Sequence, residues 1–182
     1  MVLATQVQEH YVSAFGRPDR EAAFTAGELS IAVLKWSAET HPEGVAFYAT
    51  LGASAFTPAD APEHRTEFFA GLLPENDGIA ASLADLGSYP LREGRAIREG
   101  DTLSVGEPLW PGTEMTCYWV TRTASPVLAP LALPDLHVEF LQAIPLYESE
   151  RRHLRSIGAD EFLSAWEART VPFWDPNRPA TS

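Results

Sequence analysis

Cysteine is almost absent. The one thiol, Cys117, lies inside an apolar run, which rules out an intrachain disulfide framework and a cysteine-based zinc site. Such a thiol reads as a small buried hydrophobe, and a reducing cytoplasm suits it. No apolar run approaches the roughly 20 residues needed to span a bilayer. The opening MVLATQVQEHY has neither the basic region nor the long apolar stretch of a secretory signal. Lysine is as scarce as cysteine: Lys35 stands alone among 13 basic residues, set against 25 acidic ones, and the formal net charge is -12. That balance disfavours DNA and anionic membranes and makes a basic partner the electrostatic complement. Catalytic signatures are missing too. There is no G-x-S-x-G, no H-E-x-x-H, and the glycines at 87, 94, 100 and 106 are too widely spaced for either phosphate-cradling fingerprint.

What is present is a single-domain length of 182 residues with 45% hydrophobic content, enough for a sizeable core. Leu3, Val7, Tyr11 and Phe15 recur every four residues and predict a helix stopped by Gly16 and Pro18. Residues 28–37 carry apolar groups on both faces, the pattern of a strand covered on both sides. A turn at Thr40–Gly44 leads into a second strand, Val45–Leu51, predicting an antiparallel hairpin. His64–Leu72 contains a third strand. Asn76 or Asp77 is placed to cap a helix bearing Ile79, Leu83 and Leu86, with Gly87 and Pro90 as its stop. The charged stretch from Arg92 to Pro111 holds one short strand near Leu103–Val105. Thr113–Thr121 alternates cleanly as a strand, with Met115, Cys117 and Trp119 on one face, while Ser125–Pro134, with its three prolines, reads as a loop.

His137–Ile144 is the last predicted strand, after which Pro145 suits the first turn of a helix carrying Leu146, Tyr147, Glu150, Leu154 and Ile157. Asp160 caps a final helix burying Phe162, Leu163 and Trp166. Residues 1–170 form the expected domain. Residues 171–182, proline-rich, form a non-helical tail that Phe173 and Trp174 pin to the body. The expected class is α+β: a mixed, largely antiparallel sheet of about five strands packed by about four helices.

Few residues offer chemistry. His137 and Glu139 share a strand face and could orient a base or begin a metal site. A metal needs a third ligand, however, and neither Cys117 nor the spacing of His10, His41, His64, His137 and His153 supplies one. The expectation is a metal-free protein without cofactor. Glu148 and Glu150 suit a helix N-terminus and Arg151, Arg152 and Arg155 its C-terminal half, so the helix dipole and a Glu148–Arg152 pair explain these charges. Among the tryptophans, Trp36, Trp119 and Trp166 sit at periodic core positions. Trp110 and Trp174 lie in loop and tail and are the better interface residues. With the acids Glu63, Glu75 and Asp77, they make up the candidate partner-binding set.

The order of elements from His137 to Glu167, with IPLYESE at its joint, resembles the C-terminal part of a suppressor-of-fused (SUFU) domain. The Leu29–Leu51 hairpin, the Thr66–Leu72 strand and the succession Gly100-Asp101 then Gly106-Glu107-Pro108-Leu109 resemble the same family. The resemblance implies a protein-binding domain and no catalytic residue. Eukaryotic members carry a further domain and bind zinc-finger transcription factors, whereas bacterial single-domain relatives are associated with toxin systems as immunity proteins. The implied function is therefore a non-catalytic binding module, an immunity protein against a basic toxin domain. The competing readings are a scaffold without a toxin partner, and a small hydrolase assembled from distant residues such as His64 with Glu67 or His137 with Glu139.

Overall fold

The computed structural model describes residues 3–26, 29–123 and 127–181. In chain order the elements are α1 (Leu3–Phe15), β1 (Arg20–Ala26), β2 (Leu29–Trp36), β3 (Ala46–Leu51), a 3-10 turn (Ala53–Ala55), β4 (His64–Leu72), α2 (Ile79–Glu93), β5 (Thr102–Ser104), β6 (Cys117–Thr121), β7 (Leu131–Ala132), β8 (His137–Leu146), α3 (Glu148–Ile157) and α4 (Ala159–Ala168). The strands form one sheet in the order β1-β2-β3-β4-β8-β6-β5, with β7 paired to β8. Every pairing is antiparallel except β4 with β8, where His64 lies opposite His137 and Thr66 opposite Glu139. The class is α+β with a mostly antiparallel sheet, as the sequence pattern implies.

Two-sided burial follows from the alternation of side chains along each strand. Ile31, Val33, Tyr48, Phe68, Tyr118 and Leu141 point to one face and pack under α2, through Leu83 and Leu86. On the opposite face, α1 lays Val7 and Tyr11 over Leu34, Trp36, Phe47 and Phe140. Farther along that face, α3 and α4 cover Cys117, Trp119 and Ile144 with Leu154, Phe162 and Trp166. The molecule is thus three layers, with its sheet in the middle.

Several boundaries differ from expectation, each for a physical reason. Strand β1 went unforeseen because an edge strand buries little: Arg20 through Ala23 are exposed, so REAAFTA shows no apolar stripe. Helix α2 runs through Gly87 and Pro90 to end at Gly94, whose φ is 70°. Gly87 does not stop the helix; a Cβ there would lie 3.2 Å from that of Ala53, so glycine permits the close approach of helix to sheet. Neither Asn76 nor Asp77 caps α2: its first turn follows Gly78 without a side-chain cap, Asn76 Oδ1 accepts the Gly78 N–H in the preceding turn, and Asp77 is engaged by Lys35. Strand β6 begins at Cys117. Met115 precedes it and packs on the α2 side, away from Cys117. Within the expected 125–134 loop, Leu131 and Ala132 form β7, and residues 125–126 lie outside the described residues. Pro145 is not in a helix. Strand β8 continues through it to Leu146, and the pairing with β4 has already ended at Gln142, so the missing N–H leaves no gap in that ladder. Leu163 is 38% exposed rather than buried, since Phe162 and Trp166 take the inner face of α4.

Candidate functional site

The joint after β8 organises one end of the molecule. Tyr147 starts α3, and its N–H donates to Glu150 Oε2 at 3.0 Å, closing the first turn. Glu150 is fully buried and receives a two-pronged contact from Arg178, with Nη1 to Oε1 at 2.6 Å and Nη2 to Oε2 at 2.8 Å. The same carboxylate accepts the N–H and hydroxyl of Thr181. Burial alone would raise the pKa of Glu150, but the Arg178 charge outweighs it and holds the carboxyl below its usual range. The Arg178 guanidinium also sits over the rings of Tyr147 and Trp166, and the Tyr147 hydroxyl donates to the Arg178 carbonyl at 2.6 Å. The non-helical tail is thus fastened through Arg178, with Val171 also buried. Glu148 grips mainly Arg151, at 2.8 Å, while Arg152 approaches only to 3.8 Å. With Arg151 and the Cys117 thiol donating to it, the Glu148 carboxyl is held down at about 2.

So fastened, the tail forms one wall of a groove on the α1 face of the sheet. The groove encloses about 300 Å³ and is lined by Val45, Phe47, Phe69, Val127, Phe173 and Trp174, with Glu43 and Gln142 among its polar residues. Trp174 is 38% exposed. The Trp174 carbonyl accepts the Leu73 N–H at 2.9 Å, which holds the tail against the end of β4. His41 also lines the groove. It stacks on Phe47, is 4% exposed, and its Nε2 has no hydrogen-bond partner among the described residues. The exposed Trp174 ring on an apolar trough is the part of this surface left without a covering.

A second, polar cleft of about 280 Å³ opens at the other end of β4, lined by Glu63, His64, Arg98, Glu99, Arg122 and Glu139. The 64-to-137 register of the parallel pair brings His64 Nδ1 to 2.7 Å from His137 Nε2, while His64 Nε2 stands 3.3 Å from Glu139 Oε2. Burial lowers the pKa of His64 despite the nearby Glu139 charge, so the imidazole is favoured neutral. Arg122 holds the other oxygen of Glu139 and also meets Glu99, and Arg98 pairs with Asp60. The third group that the sequence did not offer to His137 and Glu139 is therefore His64, 73 positions away.

The sequence profile of the family described as suppressor of fused protein (SUFU) matches residues 27–179. The chain belongs to the suppressor of fused family. A comparison with curated proteins returns no match. Among solved structures, a SUFU homolog from Neisseria gonorrhoeae superposes with a TM-score of 0.73 at 18% identity, covering 98% of this chain and 96% of that one. A chain of the Sufu–Fu complex gives 0.71 at 14% identity, covering 98% and 91%. Drosophila Suppressor of Fused gives 0.69 at 14% identity, with 98% of this chain matching 50% of that protein. The SUFU match takes in the tail through Arg178.

Within this SUFU fold, the residues expected to face a partner are scattered. Trp174 lines the groove and Glu63 the polar cleft. Trp110 is not available: it is 4% exposed and packs in the α2 core, because Leu109 and Trp110 turn inward under Gly78. Glu75 and Asp77 flank Lys35 at 2.7 and 2.5 Å, and Asp77 also takes Arg20 and the Tyr48 hydroxyl. Burial would lower the Lys35 pKa, but the two carboxylates outweigh it and raise it, so these acids are internally balanced. The hydrolase pairing of His64 with Glu67 does not form. Glu67 is fully buried and accepts hydrogen bonds from Thr50, Gly52, Ala53 and Ser54, which fix the 3-10 turn. His137 and Glu139 each contact His64 on opposite ring nitrogens, but no serine, threonine or cysteine lines the adjoining cleft among the described residues. The groove and Arg178 escaped sequence reasoning because both depend on where the tail folds back. The only local signal was the aromatic pair Phe173-Trp174.

Proposed function

We propose that the protein is a non-catalytic protein-binding module that grips its partner through the groove beside Trp174. We further propose that this partner is a basic protein, a toxin domain that the module neutralises. The observation that carries the binding role is the groove itself: an apolar trough with an exposed tryptophan at its wall. Aromatic anchors beside a trough of this size are what binding hot spots are made of. Family membership supports the role, since a structurally similar SUFU chain was solved as part of the Sufu–Fu complex. The basic character of the partner rests on the net charge of -12. Affinity capture from the native lysate tests both parts. A captured basic protein whose binding falls in Trp174→Ala supports the reading. Capture of an acidic protein removes the electrostatic part. A partner that binds Trp174→Ala as well as the parent removes the groove.

A further inference from the structure

The polar cleft holds the one group of three potential metal ligands found among the described residues. His64, His137 and Glu139 each offer one ligand atom, and these atoms all lie within 4.8 Å of one another. They come from the first residues of two neighbouring strands. Only the parallel register of β4 on β8, with His64 opposite His137 and Thr66 opposite Glu139, brings them together. All three point to the same face of the sheet, since Glu139 follows His137 by two and His64 precedes Phe68 by four.

We propose that His64, His137 and Glu139 form a binding site for a single divalent transition-metal ion of the zinc class. Two imidazoles and one carboxylate make a nitrogen-rich, borderline donor set. Calcium and magnesium prefer oxygen-only sites and fit it poorly. In a zinc tetrahedron with bonds of about 2.0–2.2 Å, ligand atoms stand roughly 3.3–3.5 Å apart. Through Nε2, His64 stands 3.3 Å from Glu139 Oε2, which already matches that spacing. His137 Nε2 faces the other ring nitrogen, His64 Nδ1, at 2.7 Å, so the His137 ring must swing toward the Nε2 side to complete the set, whose ligand atoms start within 4.8 Å of one another. The donors are half-buried, and the cleft of about 280 Å³ leaves a fourth position open to water. Neighbouring cations have acids outside the ligand set, Arg122 having Glu99 and Arg98 having Asp60. Arg122 moreover holds one oxygen of Glu139, leaving the other turned toward His64, the arrangement by which outer partners orient metal ligands. A bound ion would staple the start of β4 to the start of β8.

Calorimetric titration of the metal-free protein with zinc tests this, using His64→Gln, His137→Gln and, as a control at an exposed histidine, His153→Gln. The parent and His153→Gln should bind one equivalent, with a higher melting temperature in zinc. His64→Gln and His137→Gln should bind at least about tenfold more weakly and lose the thermal shift. Cobalt(II) added to the parent should give the visible absorption of a low-coordinate nitrogen site, a readout that needs no variant. The proposal is overturned if the parent binds no zinc stoichiometrically, if binding survives unchanged in both glutamine variants, or if cobalt gives only the spectrum of the hydrated ion.

Discussion

Glu150 and Arg178 are buried to 0% and 2% exposure, and each is the other's counter-charge. Removing one partner of such a pair leaves an uncompensated interior charge. Arg178→Met should therefore lower stability by about 3–5 kcal/mol in chemical denaturation. The double variant Glu150→Leu with Arg178→Met should lose less than Arg178→Met alone. The pH dependence has a fixed sign. Because Arg178 depresses the folded-state pKa of Glu150, the pair's contribution is fully present above about pH 4.3, the ordinary glutamate value. It is lost as pH falls through the depressed value, and Arg178→Met should flatten that acid limb of the stability curve. Tyr147, which caps α3 and whose ring covers Arg178, belongs to the same unit. Tyr147→Ala should lower stability by about 2–4 kcal/mol, checked by its denaturation midpoint. If Tyr147→Ala melted like the parent yet lost the partner, the tyrosine would belong to the interface instead.

At the scale of elements, the strands buried on both faces were legible, and so was the short edge strand β5, whereas β1 and β7 were not. Residues 29–36 and 46–51 announce themselves because both faces carry apolar groups, and so does His64–Leu72. Strand β1 is exposed along most of its length and β7 has two residues, so neither leaves an apolar pattern. Gly87 and Pro90 looked like a helix stop because local propensity says so. Packing overrides it, since the glycine lets α2 sit against Ala53 and Ile31. The triad at the cleft was two-thirds visible in HVE, but its third member depends on a parallel register that a single sequence does not state. The tail was read as an appendage held by its aromatics, and Arg178 gave no sign of its burial because arginines are ordinarily exposed. Deleting residues 171–182 would leave Glu150 buried without its cation. That truncation should destabilise the protein by at least about 3 kcal/mol, measured by thermal or urea unfolding. A truncated chain that unfolds like the parent would show the clamp to be dispensable.

Over the whole molecule, the excess of 25 acidic over 13 basic residues sets the long-range field. Part of that acid is spent internally, on Lys35 by Glu75 and Asp77 and on Arg151 by Glu148, while Glu63 remains exposed at the cleft. If the partner is basic, raising ionic strength from about 0.05 to 0.5 M should slow association strongly and change dissociation less. The apolar groove should govern the other half of the affinity, the lifetime of the complex. The most direct test is the dissociation constant of the captured partner for the parent and for Trp174→Ala, measured side by side with their melting temperatures. With the fold intact, loss of the Trp174 ring should weaken binding by about tenfold or more, chiefly through faster dissociation. An unchanged dissociation constant in a variant that melts like the parent would place the binding surface elsewhere on the molecule.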